Sequence, residues 1–159
     1  MSLKPIILTI SSLFDKKHSR GKMIHHYEIR DILGMGSYGF SYLVLNQETQ
    51  MLSVLKMPRF HKRITHKGKA SFYQEIEILK SISHCRFPAY YEKGEFEQIP
   101  FYTMEYISGK TFEQLIFQEG KIYSEVETFT IGLELLTVIS VLHEKGIIHR
   151  DIRIPNIMM

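Results

Sequence analysis

Residues 34–45 read GMGSYGFSYLVL. Gly34, Gly36 and Gly39 stand in the G-x-G-x-x-G spacing, in which a backbone without side chains can approach phosphate oxygens and offer them amide N–H groups. The same spacing occurs in turns that are merely flexible, so the residues that follow decide how the loop is read. A dinucleotide fold needs a helix directly after the glycines and an acidic residue further on. Here Ser41 to Leu45 alternate as a strand instead. The preceding YEIRDIL, Tyr27 to Leu33, also alternates, with Tyr27, Ile29 and Asp31 on one side. The glycines therefore join two strands. A loop folded over phosphates and a purely structural turn both remain open on this motif alone.

Working outward, NQETQ is a polar turn and MLSVLKM, residues 51–57, a third strand. Period two places Leu52, Val54 and Lys56 on one face, with Lys56 a lone charge among apolar neighbours. The basic run RFHKRITHKGK reads as a solvated loop, and a helix is expected from Ser71 to Ser83. Its apolar stripe is Phe72, Ile76, Leu79 and Ile82. Glu75 falls within that stripe and Glu77 opposite it. A carboxylate buried there without a partner would be costly, so a cation must meet it, and Lys56 is the candidate. Such a pair is either an ordinary structural ion pair or a device that aims the lysine at phosphates. Its coincidence with the glycine loop favours the second reading.

Two further strands are expected, Tyr90 to Phe96 and Phe101 to Tyr106, with Pro100 at the start of the latter. Gly109 interrupts. Thr111 with Gln114, and Ser124 with Glu127, have capping-box spacing. The second box opens a helix from Ser124 to Lys145, stopped by Gly146. It is apolar on more than one face, through Val126, Phe129, Leu133 and Leu136 and also Ile131, Leu135, Val138 and Leu142. Such a helix is expected to be buried all round. HRDIRIPN, residues 149–156, follows it.

The bulk properties exclude several classes. The chain has 159 residues, 44% hydrophobic and 23% charged, with a net charge of +3, as in a folded globular protein. Basic residues are scattered apart from the one short run, which argues against a nucleic-acid partner. The single cysteine, Cys85, allows no intrachain disulfide and fits a reducing cytoplasm. His25/His26 and His61/His66 lack the company of metal-ligand spacing and read as surface residues. The apolar run Pro5 to Ile10 is too short to span a bilayer, so no membrane span is expected.

GMGSYGF, SVLK, Glu75 in QEIEIL, FYTMEYISG and HRDIRIPN occur in that order, and together they resemble a eukaryotic-type serine/threonine protein kinase of the kind found in bacteria. The likeness runs from Tyr27 to the last residue. It implies an α+β fold: an N-lobe of a five-stranded antiparallel sheet plus one helix, with only the first helices of a C-lobe. Residues 1–26 would be an N-terminal extension, 27–106 the N-lobe and hinge strand, and 107–159 the hinge and an incomplete C-lobe. The resemblance implies ATP and Mg2+ as cofactors and a protein Ser/Thr hydroxyl as acceptor. Asp151 would accept the hydroxyl proton and Asn156 would bind a magnesium ion. Lys56, held by Glu75, would contact the α- and β-phosphates, and Arg153 would sit near the γ-phosphate. Gly34, Gly36, Ser37 and Gly39 would cover the phosphates. Ser41, Val54 and Met104 would line the adenine pocket, while Glu105 and Ile107 would offer backbone groups to its edge. Arg150 would read a phosphorylated activation loop.

Four positions depart from the family pattern. Ser41 replaces the usual Val, Val54 the usual small Ala, Arg153 the usual Lys, and Pro155 is displaced by one place. The family continues past this point into D-F-G and A-P-E segments. The 159 residues are therefore expected to be a truncated kinase, inactive alone, ending in a strand without a partner and exposing its last long helix to a partner chain. A non-catalytic nucleotide- or partner-binding module, and a small-molecule kinase, are the competing readings.

Overall fold

The computed structural model describes residues 20–35, 39–58 and 66–159, with backbone alone at residues 66 and 67. The N-terminal apolar run, Gly36, Ser37 and the basic run through residue 65 lie outside them. The described residues form two compact units. One comprises the residues up to Lys80 together with Ala89–Tyr106, the other Ser81–Pro88 with Ile107–Met159.

The first unit is built on six antiparallel strands, β1 (Met23–Ile24), β2 (Tyr27–Met35), β3 (Gly39–Asn46), β4 (Leu52–Pro58), β5 (Tyr90–Phe96) and β6 (Ile99–Glu105), with α1 (His66–Ser81) between β4 and β5. Their order across the sheet is β1-β2-β3-β4-β6-β5. Five strands were expected; the sixth is β1, a two-residue strand that pairs Met23 with Glu28 and Ile24 with Tyr27. β3 alternates as expected, but β2 does so only as far as Ile29. A bulge between Ile29 and Asp31 shifts the register, and Asp31 is exposed, bonded to Arg20 at 2.9 Å, rather than sharing the face of Tyr27 and Ile29.

Both sheet faces are covered. One carries Ile24, Tyr27, Ile29, Phe40, Tyr42, Val44, Leu55, Met57, Ile99 and Phe101 in a single cluster. The Tyr27 hydroxyl finds Thr103 Oγ1 at 3.2 Å within it, as a buried phenol requires. On the other face Tyr102 packs with Phe72 and Ile76 of α1, flanked by Leu79, Tyr90 and Met104. Burying each large apolar side chain contributes about 1.5–3 kcal/mol, so the first cluster stabilises the sheet and the second holds α1 to it. The helix begins five residues earlier than the sequence suggests and ends at Ser81, so Ile82 lies beyond its stripe.

The second unit contains α2 (Glu125–Glu144). Both capping boxes form. Thr111 N–H donates to Gln114 Oε1 at 2.9 Å while Gln114 N–H donates to Thr111 Oγ1 at 3.2 Å, ahead of a π-helical turn over Gln114–Gln118. Ser124 and Glu127 bond reciprocally at the start of α2. At its end, Ile147 N–H reaches Leu142 O and Gly146 N–H reaches His143 O, both at 2.9 Å, and Gly146 takes φ +69°. This double closure is a Schellman motif, and the left-handed residue in it favours glycine.

Helix α2 is not buried all round, as its composition suggests, but exposes an apolar face, as expected of an incomplete C-lobe. Leu142 is buried, but Val126, Phe129, Leu133 and Leu136 are exposed, Phe129 at 72%. These four recur at three- and four-residue intervals and form one apolar stripe. By length and composition alone α2 could also cross a membrane; a core helix of a soluble domain passes the same test.

Candidate active site

In the first unit the strand register assembles one row of side chains. Gly34 pairs with Ser41, Ser41 with Lys56, and Lys56 with Tyr102. The next row is Leu43, Val54, Met104 and Tyr90. Directly paired residues share a face, so Ser41, Val54, Lys56 and Met104 stand together on the side that α1 covers in part. Of the glycine turn, Gly34 and Gly39 are described. Gly39 approaches β4 so closely that a Cβ there would overlap the Met57 carbonyl oxygen, whereas one at Gly34 would meet nothing within 4 Å among the described residues. Gly39 is thus required by strand packing as well as by any ligand.

Lys56 Nζ lies 2.9 Å from Glu75 Oε1. The pair is not buried, as the stripe argument assumed: the side chains keep 34% and 45% of their accessible surface. Glu75 sits at the border of the helix stripe, where the sheet no longer covers it. A half-open ion pair adds little to stability, because water screens it. It leaves the lysine within reach of an incoming anion.

A third member of this group was missed by the sequence reading. Tyr102 OH donates to the same Glu75 Oε1 at 2.7 Å. Burial pushes the Tyr102 phenol well above its ordinary value, and the adjacent Glu75 carboxylate adds to the shift. The signal was present in FYTME: a tyrosine inside an apolar strand needs a partner for its hydroxyl.

At the end of β6, Glu105 N–H donates to Ala89 O at 2.8 Å, and Ala89 N–H donates to Glu105 Oε2 at 3.1 Å. A ligand could therefore use the Glu105 carbonyl but not its N–H. Ile107 is partly exposed just after the chain enters the second unit.

In the second unit the segment after α2 is tied at several points. Asp151 N–H donates to His149 Nδ1 at 3.2 Å, which makes that nitrogen the unprotonated one. Asn156 Nδ2 donates to Asp151 Oδ2 at 2.8 Å and to Asp151 O at 2.9 Å. Both partners are acceptors, so the amide nitrogen must face Asp151, and the Oδ1 oxygen turns away as a free-standing donor atom for a cation. Arg153 Nε lies 2.8 Å from Asp151 Oδ1. The loop thus brings Asp151, Arg153 and Asn156 into contact. Arg150, between His149 and Asp151, takes φ +62°, a left-handed conformation that costs a non-glycine residue roughly 1–2 kcal/mol. The short 3-10 turn Ile154–Asn156 accommodates Pro155 in its first positions.

The terminal strand does have a partner, contrary to expectation. Thr111 and Met158 form an antiparallel bridge. Around it, Phe112 N–H donates to Ile157 O at 2.9 Å and Met159 N–H to Lys110 O at 3.0 Å. Gly109 makes this approach possible: a Cβ there would overlap the Met159 carbonyl oxygen. The loop is therefore held from α2 on one side and from residues 110–112 on the other.

The family model described as "Protein kinase domain" matches residues 27–159. The chain belongs to the protein kinase domain family. Among curated relatives, the probable serine/threonine-protein kinase YbdM of Bacillus subtilis is 36% identical over 148 residues, covering 92% of this chain and 58% of that protein. Human NUAK family SNF1-like kinase 1 is 26% identical over 145 residues, 91% of this chain and 22% of that protein. The chain thus spans little more than half the length of the first of these kinases and less of the second. Among solved structures, the apo form of PpkA-294 superposes with a TM-score of 0.76 at 22% identity, over 87% of this chain and 56% of the other. The Mycobacterium tuberculosis PknI kinase domain gives 0.71 at 20%, over 88% and 56%. At these identities the superpositions establish the kinase fold of the chain.

Proposed function

We propose that the protein carrying this chain transfers the γ-phosphoryl group of ATP to a serine or threonine hydroxyl of a protein. The observation that carries the proposal is the Lys56–Glu75 pair, with a one-third-exposed cation on the face that also holds Ser41, Val54 and Met104. Lys56 would meet the α- and β-phosphates and Glu75 would fix its direction. Gly34, Gly36, Ser37 and Gly39 would cover the phosphates. Ser41, Val54 and Met104 would contact the adenine, and Glu105 O and Ile107 its polar edge.

In the second unit Asp151 would accept the acceptor hydroxyl's proton, oriented by its bonds to Asn156 and Arg153. Arg153, one side of whose guanidinium is committed to Asp151, would add positive charge near the transferred group. Arg150 would serve as the phosphate-reading cation. A magnesium ion fits the donors present. The described residues contain no cluster of three His, Cys, Asp or Glu side chains, and magnesium normally takes one or two protein oxygens and completes its shell with phosphates and water. Asn156 Oδ1 is such an oxygen. When bound, the ion would neutralise phosphate charge. A cytoplasmic setting belongs to the proposal and is supported by the free, exposed Cys85.

The test is differential binding. Mg-ATP and adenosine affinities are compared by calorimetry on the chain and on Lys56→Met. ATP should bind at least tenfold tighter than adenosine in the parent, and Lys56→Met should erase most of that advantage. Equal affinities in the parent, or an advantage untouched by Lys56→Met, would remove the lysine from the phosphate site.

A further inference from the structure

Glu75 Oε1 accepts from two donors of opposite mechanical character. Lys56 Nζ, at 2.9 Å, ends a flexible four-carbon chain that is one-third exposed. Tyr102 OH, at 2.7 Å, ends a rigid ring that is 1% exposed. That ring is held between its cross-strand neighbour Lys56 and Phe72 of α1, whose ring centroid is 5.4 Å away. Ile76, fully buried one turn along the helix, closes the same cluster. Either donor could tie the carboxylate to the sheet, but only the lysine can also reach into solvent.

We propose that Tyr102 is a positioning residue: its hydroxyl pins Glu75, and through it α1, to the sheet, so that Lys56 can turn to an anionic phosphate without the helix losing its seat. This rests on the reading of Lys56 as a phosphate-binding residue. If the lysine alone held Glu75, every anion it engaged would compete with the contact that orients it. With the phenol on the same oxygen, the carboxylate keeps a charge-assisted hydrogen bond whichever way the ammonium leans. The ring supplies the helix packing and the hydroxyl supplies the register, and the two are separable, because phenylalanine keeps the first and loses the second.

The experiment is amide hydrogen exchange on the chain, read over α1 (His66–Ser81) and over β2 and β3 as an internal control, in the parent, Tyr102→Phe, Lys56→Met and Glu75→Gln. Glutamine keeps an Oε1 that can accept from the phenol. Tyr102→Phe should speed exchange in α1 about tenfold, the factor expected at the low end for losing a hydrogen bond to a charged group. Lys56→Met should leave α1 within about twofold of the parent, Glu75→Gln should fall between the parent and Tyr102→Phe because its bond from the phenol is no longer charge-assisted, and β2 and β3 should not respond to any of the three. Unchanged α1 exchange in Tyr102→Phe would overturn the proposal, and so would Lys56→Met loosening α1 as much as Tyr102→Phe does. Mg-ATP affinity is measured on the same samples and should fall at least threefold in Tyr102→Phe while adenosine affinity holds. A loosened helix in a chain whose parent shows no phosphate-dependent binding would keep the pin and refute the phosphate reading on which its purpose rests. The two failures are thereby told apart.

Discussion

Replacing Gly39 with alanine should damage the first unit, and replacing Gly34 should not. The two belong to one motif, so a purely ligand-based account treats them alike. The structure separates them. A Cβ on Gly39 overlaps the Met57 carbonyl oxygen and comes within 3.1 Å of Met57 C and Pro58 Cα. All three are backbone atoms of β4, whose Met57 side chain is buried at 3% exposure in the sheet core, so no flexible side chain can yield. Overpacking of this kind costs about 1–3 kcal/mol, and the upper half of that range applies when only backbone can move. At Gly34 a Cβ meets nothing within 4 Å among the described residues, and the backbone is not left-handed. Alanine there should be neutral, or stabilising by about 0.4–1 kcal/mol through the unfolded chain. For a chain of this size about 1 kcal/mol moves Tm by roughly 2–4 °C. Thermal unfolding followed by circular dichroism should show Gly39→Ala melting about 4–12 °C lower, and Gly34→Ala level or slightly higher. If Gly34→Ala melted as early as Gly39→Ala, or Gly39→Ala melted with the parent, the strand-packing argument would fail.

Three other outcomes are expected. Gly109→Ala should push the chain away from Met159 O, and the Lys110 and Met159 amides should lose exchange protection while α1 keeps its own. Glu127 is held below the ordinary glutamate value of 4.5, chiefly by its bond from the Ser124 backbone N–H. Its contribution is therefore complete above that value and is lost as pH falls through the lower folded one. An NMR titration of the Ser124 amide should follow that acid transition, and Glu127→Gln should abolish it. Asn156→Ala should free the Asp151 carboxylate from its 2.8 Å donor, lowering the proposed phosphoryl transfer of the whole reading frame's product by at least tenfold while leaving Tm within a few degrees, since both groups are exposed.

What the sequence made legible was mostly local or periodic. The capping boxes at Thr111 and Ser124 depend on residues three apart, and a helix start can be read at that range. The meeting of Lys56 and Glu75 followed from two periods, two in β4 and 3.6 in α1, each placing one charge on an apolar face. Where the reading failed, the cause was non-local. The bulge after Ile29 turned Asp31 to solvent, and nothing in YEIRDIL marks it. The bridge from Thr111 to Met158 joins residues far apart in the chain. The openness of the Lys56–Glu75 pair depends on where the sheet edge ends relative to the helix, which periodicity does not report. Tyr102 carries no charge to mark it in FYTME, although a buried phenol makes the same demand for a partner as a charge does. Gly39 reads in the sequence as a phosphate-loop or turn glycine, whereas its nearest constraint is the neighbouring strand.

In the proposed function Asp151 is the base for phosphoryl transfer by the protein that carries this chain. The most direct measurement uses the product of the whole reading frame that encodes these residues, with radiolabelled ATP, magnesium and a protein acceptor, beside its Asp151→Asn variant. The account predicts label on serine or threonine in the parent and a loss of at least a hundredfold in Asp151→Asn, which keeps the shape of the side chain and removes the base. Equal labelling by the two proteins, or none by a parent that binds Mg-ATP, would contradict it.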